Sequence, residues 1–165
     1  MPALVDAGRK TTVNVSASGY DPRTPPFGCS PDGCIPENTR DHNLSSNSRW
    51  SCKGDILDND KGCWIKYSFD EPQDLEEIEI AFYKGDEDTR TLKVYSNGKY
   101  HGKIKSSGNT DDFQTFDLNT DETSELKLYL NDYKSNSDVW FSLTEVCSIG
   151  DLPHVTLHPA RSLCT

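Results

Sequence analysis

Two short phrases decide the fold of this chain: Arg49-Trp50-Ser51-Cys52 and, about 90 residues later, Ser142-Leu143-Thr144-Glu145-Val146. Between them, short segments alternate apolar with polar residues, which is the period of a half-buried β-strand. No segment keeps the period of a helix over several turns. Short strands separated by turn residues indicate one antiparallel β-sandwich of the jelly-roll type, with the two phrases near its first and last strands.

The individual strands follow from this alternation. Ile65, Tyr67 and Phe69 face one way, whereas Lys66 and Ser68 face the other. The same pattern predicts strands over residues 11–17, 78–82, 92–94, 116–118, 126–130 and 140–146. Asn97-Gly98 is the strongest short signal for a β-hairpin turn. The tryptophans Trp50 and Trp64, large apolar residues at the start of strands, are expected in the core.

A long loop separates the first strand from the others. Residues 19–47 are rich in Pro, Gly, Asn, Asp and Ser, which excludes long regular structure. A loop of this length in a compact domain is usually functional or tied down. We expect Cys29 and Cys34 to tie it. The predicted organisation is a leader segment over residues 1–10, a sandwich over 11–147 and a tail or linker over 148–165.

The six cysteines indicate an oxidising compartment. An even count in a small domain is typical of a disulfide framework, although fifteen pairings are formally allowed. We favour the local pairs Cys29–Cys34 and Cys52–Cys63, which leave Cys147 and Cys164 to fasten the tail. A zinc site is the alternative, but the sequence has no Cys-x-x-Cys pair and its four histidines are scattered.

Charge and hydropathy limit the partners and the location. A net charge of −10 repels phosphate backbones and anionic lipids, so we expect neither nucleic acid nor membrane insertion. No apolar run approaches the ~20 residues that span a bilayer, and no signal peptide is visible. Because disulfides require export, we expect a secreted or extracellular domain, mature or excised from a larger multidomain protein.

Several motifs resemble one known family. The stretch PENTRD at residues 36–41, followed by NSRWS at 47–51, resembles the opening of discoidin-like (coagulation factor type C) domains of the galactose-binding type. Further matches follow in family order: GCWIKY at 62–67, IAFYKGD at 80–86, SSGNT at 106–110 and VWFSLTEV at 139–146. Family 32 carbohydrate-binding modules and alginate-lyase-linked modules share this pattern. The resemblance implies a β-sandwich that binds polysaccharide without catalysis.

The resemblance also implies a structural calcium ion where the long loop meets the last strand. The matching positions are Asn38 and Asp41 in the loop, Ser46 or Ser48 nearby, and Glu145 on the closing strand. Calcium takes six to eight oxygen ligands, and a loop supplies carbonyls and hydroxyls as well as carboxylates. Alternatively, Asp41 caps a turn and Glu145 faces solvent.

Sugar recognition requires an aromatic face and fixed polar groups. Tyr83, Lys84, Asp86 and Arg90 offer both at one strand end, and an anionic polysaccharide would favour the two cations. Residues that could lie beside them are Asn136 and Trp140. An exposed, salt-bridged turn is the simpler interpretation of Lys84, Asp86 and Arg90. Further candidate platforms are the loop aromatics Tyr20, Phe27 and Tyr133, and Arg49 is expected to pair with an acidic neighbour.

Catalysis finds little support in the sequence. The acidic runs at 86–88 and 111–112 are typical of solvated turns rather than of the spaced carboxylates of a glycosidase. We therefore predict a non-catalytic module that binds an extracellular or cell-wall polysaccharide, with Ca²⁺ in a structural role. A protein-interaction or adhesion domain is the main alternative, and a polysaccharide lyase or hydrolase is a third.

Overall fold

The computed structural model of the protein describes residues 12–29, 31–53, 62–130 and 140–150. The regular secondary structure of this part of the chain is antiparallel β-sheet, apart from one 3-10 helix, Pro36–Arg40, and it includes no α-helix. The strands are β1 (Val13–Ala17), β2 (Trp50–Lys53), β3 (Trp64–Phe82), β4 (Thr91–Ser96), β5 (Lys99–Lys105), β6 (Phe113–Leu130) and β7 (Trp140–Gly150). The predicted all-β sandwich is confirmed. The predicted strands 65–69 and 78–82, however, form a single strand, as do 116–118 and 126–130.

The long strands β3 and β6 belong to both layers of the sandwich. Their register shifts between Ser68 and Gln73, and Asn119 and Glu122 on β6 adopt positive φ angles opposite this irregularity. One layer contains β1, the first half of β3, the second half of β6, β4 and β5. The other contains β2, β7 and the remaining halves of β3 and β6. Bent strands of this kind replace the loops that the sequence pattern predicts.

The core lies between the two layers. Trp50 is fully buried and meets Phe141 edge to face, with ring centroids 5.3 Å apart. Burying a large apolar side chain contributes about 1.5–3 kcal/mol to the free energy of folding. The expectation for Trp64 is wrong: it is only half-buried on the outer face, since the neighbouring Ile65 takes the inward position. Period-two alternation allows one of two adjacent residues into the core.

Two predicted local features are confirmed. Asn97 and Gly98 have φ angles of 50° and 77° and connect β4 to β5, as a tight hairpin turn requires. Disulfides join Cys29 to Cys34 and Cys52 to Cys63. Cys147 is also disulfide-bonded, and its predicted partner Cys164 lies outside the described residues. Among the described residues, no helix is long and apolar enough to cross a membrane.

Candidate functional site

A cleft of about 270 Å³ opens where the ends of β2, β3 and β7 meet. Four of the residues predicted to bind sugar line it: Tyr83, Lys84, Arg90 and Trp140. The other residues that line it were not predicted to contact sugar, and they are Asp21, Arg23, Arg49, Ser51, Asp88 and Ser142. The cleft therefore collects three arginines and a lysine on a protein whose net charge is −10.

Strand alternation places the cleft residues on β2 and β7. Trp50 and Cys52 point into the core, so Arg49 and Ser51 point outward. Ser51 pairs with Ser142 across the two strands, and their hydroxyls share a hydrogen bond of 2.7 Å. Once Trp50 is placed in the core, alternation alone predicts that its neighbours Arg49 and Ser51 point away from the core.

Arg49 is held in one orientation at the cleft. Its Nε donates a hydrogen bond to Ser51 Oγ at 3.1 Å, and its guanidinium also donates to the Ser46 carbonyl. The guanidinium carbon lies 4.3 Å from the centroid of the Tyr83 ring, a cation–π geometry. The expected pairing with an acidic neighbour is wrong, because Arg49 makes no ion pair within the described residues. Its positive charge faces the cleft and reaches the Asp21 carboxylate only through space, because no direct ion pair joins Arg49 to a described carboxylate.

Arg23 enters the cleft from the disulfide-tied loop. Nε and a terminal nitrogen of its guanidinium donate to the Asp21 carboxylate at 2.8–3.1 Å, and its guanidinium lies 5.1 Å from the centroid of Trp140. Burial would raise the pKa of Asp21, but the hydrogen bonds and charge of Arg23, together with the charge of Arg49, outweigh it and hold that pKa below its usual value. The Cys29 amide donates to the Arg23 carbonyl at 3.0 Å, and Cys29 is bonded to Cys34. The disulfide therefore fixes the backbone that carries Arg23.

The turn after β3 supplies the remaining cations. Lys84 has a φ of 54°, an uncommon conformation outside glycine, and its ammonium pairs with Glu87 at 3.2 Å. A Cβ at Gly85 would lie 2.4 Å from the Thr110 carbonyl, so only glycine fits here. Arg90 pairs with Asp88 at 3.1 Å. The carboxylates of both pairs are largely exposed, and exposed ion pairs contribute little to stability.

The other predicted sugar residues are not brought into the cleft. Asp86 is exposed in the same turn but does not line it, and Asn136 lies outside the described residues. Tyr20 and Phe27 are exposed in the long loop and do not line the cleft either. Tyr133 lies outside the described residues. The aromatic rings at the cleft are Tyr83 and Trp140, each carrying a guanidinium on one face.

The residues predicted to hold calcium surround the 3-10 helix. Asn38 is buried, and its Nδ2 donates to the carbonyls of Gly33 at 3.1 Å and Arg49 at 3.0 Å. Asp41 accepts hydrogen bonds from the Ser48 hydroxyl and from the Asn43 amide. Ser46 is exposed and is connected instead to Arg49 through its carbonyl. The loop thus brings Asp41 and Ser48 together near one end of the helix.

Glu145 on β7 completes this cluster. Its side chain is buried, so solvent does not reduce the cost of its charge. Burial and the neighbouring Asp41 carboxylate raise the pKa of Glu145 to about 8, although Arg40 and the amides of Asn43 and His42 act in the opposite direction. Within the described ranges, no three His, Cys, Asp or Glu side chains are arranged as a metal cluster. A cation here would require hydroxyl and carbonyl oxygens beside the two carboxylates, which is ordinary for calcium.

Comparison with known proteins identifies the fold. No protein-family model matches the sequence, and no curated protein does. A family 32 carbohydrate-binding module of AlyQ, solved in complex with 4,5-unsaturated mannuronic acid, is similar over 82% of this chain and 92% of its own length, with 25% identity and a TM-score of 0.62.

Two further structures agree with this assignment. A truncated AlyQ with family 32 module and alginate lyase domains matches over 86% of this chain and 33% of its own, with 24% identity and a TM-score of 0.63. An F5/8 type C domain from Bacteroides fragilis matches over 84% of this chain and 91% of its own, with 15% identity and a TM-score of 0.58. The protein therefore has the discoidin-like fold of the family 32 carbohydrate-binding modules.

Proposed function

We propose that the protein is a non-catalytic carbohydrate-binding module whose cleft binds a sugar carboxylate of an extracellular polysaccharide. The single observation that carries this proposal is Arg49. Its guanidinium is fixed by Ser51 and Tyr83, lines an open cleft and forms no direct ion pair among the described residues. A fixed guanidinium binds a carboxylate in a bidentate manner at little entropic cost.

The rest of the cleft suits a sugar acid rather than a simple anion. Arg90 and Lys84 add positive charge at the rim, while the hydroxyls of Ser51 and Ser142 suit the hydroxyls of a sugar ring. The rings of Tyr83 and Trp140 each carry a guanidinium on one face, so a sugar would meet cationic groups there rather than a bare aromatic surface. The AlyQ module, 25% identical, was solved with a uronic acid, which supports a ligand of this class.

Other observations support a secreted module of a larger protein. The two disulfides between described cysteines are compatible with an oxidising compartment. The similar module of AlyQ occurs in one chain together with an alginate lyase domain. A binding module in such a chain keeps its neighbouring domain close to the polysaccharide and raises the local substrate concentration.

A structural calcium ion at the loop junction forms part of the proposal. Asp41 and Glu145 would hold it, with the Ser48 hydroxyl and loop carbonyls as further oxygen donors. The raised pKa of Glu145 supports this assignment, because a buried carboxyl beside a second carboxylate gains most from a cation. Since Asn38 connects this loop to the backbone of Arg49, the ion would also fix the position of Arg49 in the cleft.

The function is tested by calorimetric titration of the whole chain with a uronic acid disaccharide and with its carboxyl-reduced, neutral analogue. We expect the uronate to bind roughly tenfold or more tightly than the neutral sugar, since the charge-assisted pair with Arg49 is lost in the latter. Arg49→Gln should remove this preference, whereas the exposed Lys99→Gln outside the cleft should keep it. Equal affinity for both sugars would refute the proposal, as would an Arg49→Gln variant that binds uronate normally.

A further inference from the structure

A second basic surface lies on the outer face of the layer formed by β1, β3, β6, β4 and β5. We call it the lysine–aromatic face, and it consists of Lys66, Lys93, Lys103, Lys105 and Lys127 together with Trp64, Tyr95, Tyr100 and Tyr129. None of these residues lines the cleft. Five of the 17 basic side chains of an acidic protein thus share one sheet face with four aromatic rings.

Alternation and register establish that these residues share the outer face. Their neighbours along the strands, including Ile65, Leu128 and Val94, are buried in the core. Across the strands, Trp64 pairs with Tyr129, which pairs with Lys93, which pairs with Lys103. The adjacent row runs from Lys66 through Lys127 and Tyr95 to Tyr100. From β3 to β5 these rows cross three strand spacings, about 14 Å.

The arrangement of the lysines opposes the stability of the sheet. Lys66 lies directly opposite Lys127, and Lys93 directly opposite Lys103. Like charges in directly opposed cross-strand positions are destabilising. A sheet face selected for solubility alone would alternate the two signs of charge. Two like-charged pairs in neighbouring rows therefore indicate a surface that meets an anion.

Only one half of the face has compensating contacts. Lys66 pairs with Glu125 at 3.4 Å, and the Lys127 ammonium lies 4.6 Å from the centroid of Trp64. By contrast, Lys93, Lys103 and Lys105 form no ion pair within the part of the chain that the structure describes. Beside them, the rings of Tyr95 and Tyr100 are 5.6 Å apart, and Tyr100 is 49% exposed. The β4–β5 half thus offers uncompensated cations next to accessible rings.

We propose that the lysine–aromatic face binds along the chain of an acidic polysaccharide, as a second contact for the polymer whose carboxylate occupies the cleft. This inference rests on the proposed function. Lysine ammonium groups meet the repeated carboxylates, and the tyrosine and tryptophan rings cover the apolar C–H surfaces of the sugars. Two weak contacts on one polymer multiply the apparent affinity without any new contact at either site.

The position of the face supports a polymer shared with the cleft. The Arg90 amide donates to Ser106 Oγ at 2.7 Å, and the Ser106 amide donates to the Arg90 carbonyl at 2.9 Å. Lys105, next to Ser106, therefore lies beside a cleft residue. The disulfides favour a polysaccharide over a nucleic acid, since they indicate an oxidising compartment in which extracellular polysaccharides are the abundant polyanions.

The test separates the face from the cleft by saturating the cleft with a short ligand. The full chain is mixed with saturating trigalacturonate, and binding of long polygalacturonate is then measured by affinity electrophoresis. We expect the wild-type protein to retain polymer binding under these conditions, and the double variant K93Q/K103Q to lose roughly tenfold in affinity. The single variants K103Q and K99Q form a matched pair on β5: K103Q should weaken binding, whereas K99Q, at the turn, should not.

Each other outcome overturns a specific claim. If trigalacturonate abolishes polymer binding to the wild-type protein, the face is not a polymer site although the cleft is. If neither ligand binds, the proposed function fails and the inference with it. A single-stranded oligonucleotide that binds the face more tightly than the polymer would replace the proposed occupant. Misfolding does not explain a loss in K93Q/K103Q if its melting temperature is unchanged or higher, as removal of a like-charge pair predicts.

Discussion

The side-chain amide of Asn38 donates a hydrogen bond of 3.0 Å to the backbone carbonyl of Arg49. This contact joins the loop that holds the proposed calcium ligands Asp41 and Ser48 to the cleft. A second bond of 3.1 Å connects the same nitrogen to Gly33, next to Cys34. One buried amide therefore fixes the loop and the residue before β2 relative to each other. Sugar affinity and loop order should respond together when this amide is changed.

We first predict that Asn38→Ala lowers both stability and affinity. The substitution leaves two carbonyls without their donor, at a cost of about 1–3 kcal/mol for each one that stays buried. Urea unfolding measures the stability, and calorimetry with a uronic acid disaccharide measures the affinity. Asn14→Ala is the control, because Asn14 is exposed on β1 and does not line the cleft. If the Asn38→Ala protein kept wild-type affinity, the loop would have no effect on sugar binding in the cleft.

A second prediction concerns the pH dependence of stability. The pKa of Glu145 is raised to about 8 in the folded protein, above its unfolded value of 4.5. The folded state therefore binds the proton more tightly, and this contribution is complete below pH 4.5 and lost as the pH rises through 8. Urea unfolding in the presence of EDTA should therefore show that the free energy of unfolding falls as the pH rises from 4.5 to 8.

Glu145→Gln provides the control for this effect. The neutral amide should remove the pH-dependent loss, because it does not ionise beside Asp41. Added calcium should stabilise the wild-type protein at pH 8, by about 2.7 kcal/mol at a hundredfold excess over its Kd, and should not stabilise Glu145→Gln to the same degree. A variant that gains as much from calcium as the wild type would exclude Glu145 as a ligand.

The cation–π contact at the cleft gives a third prediction. Tyr83→Phe keeps the ring beneath Arg49, so uronate affinity should stay near the wild-type value. Tyr83→Leu removes the ring, and a contact of this type contributes about 0.5–1 kcal/mol at an exposed site. We therefore expect a severalfold weaker Kd for Tyr83→Leu, measured by calorimetry. Equal losses in both variants would instead indicate that the Tyr83 hydroxyl contacts the sugar.

A fourth prediction distinguishes the two disulfides. Loop-closure entropy assigns about 2 kcal/mol to Cys29–Cys34 and about 3 kcal/mol to Cys52–Cys63, given separations of 5 and 11 residues. Replacing both cysteines of the first pair with serine should lower uronate affinity, since Cys29 holds the backbone of Arg23. Replacing the second pair should lower mainly the stability. The hypothesis fails if the second double variant loses more affinity than the first.

The sequence predicted strands well and their continuity poorly. Alternation correctly identified the inward residues of β3, but it was interrupted at residues 70–74, where the strand bends between layers. A bend exposes both faces of a strand locally, so polar residues replace the apolar ones without ending the hydrogen-bonded pairing. The same alternation places Trp64 on the outer face, because its neighbour Ile65 points into the core.

The cleft was predicted only in part, for a physical reason. Tyr83, Lys84 and Arg90 are close in sequence and were found as one group. Arg23 comes from a distant loop, and its contacts with Asp21 and Trp140, together with the disulfide, bring its guanidinium to the cleft. Arg49 was expected to pair with an acid, although its hydrogen-bond and ring partners are uncharged. Long-range contacts of this kind leave no local pattern in a sequence.

The bent strands β3 and β6 have a consequence for how the protein folds. Their pairing joins Trp64 to Tyr129 at one end and Ala81 to Phe113 at the other, so partners far apart in the chain form both layers. Such a topology has a high contact order, which slows folding. Because both layers share these strands, one layer cannot unfold without the other. Amide hydrogens in the centre of both layers should therefore exchange only through global unfolding.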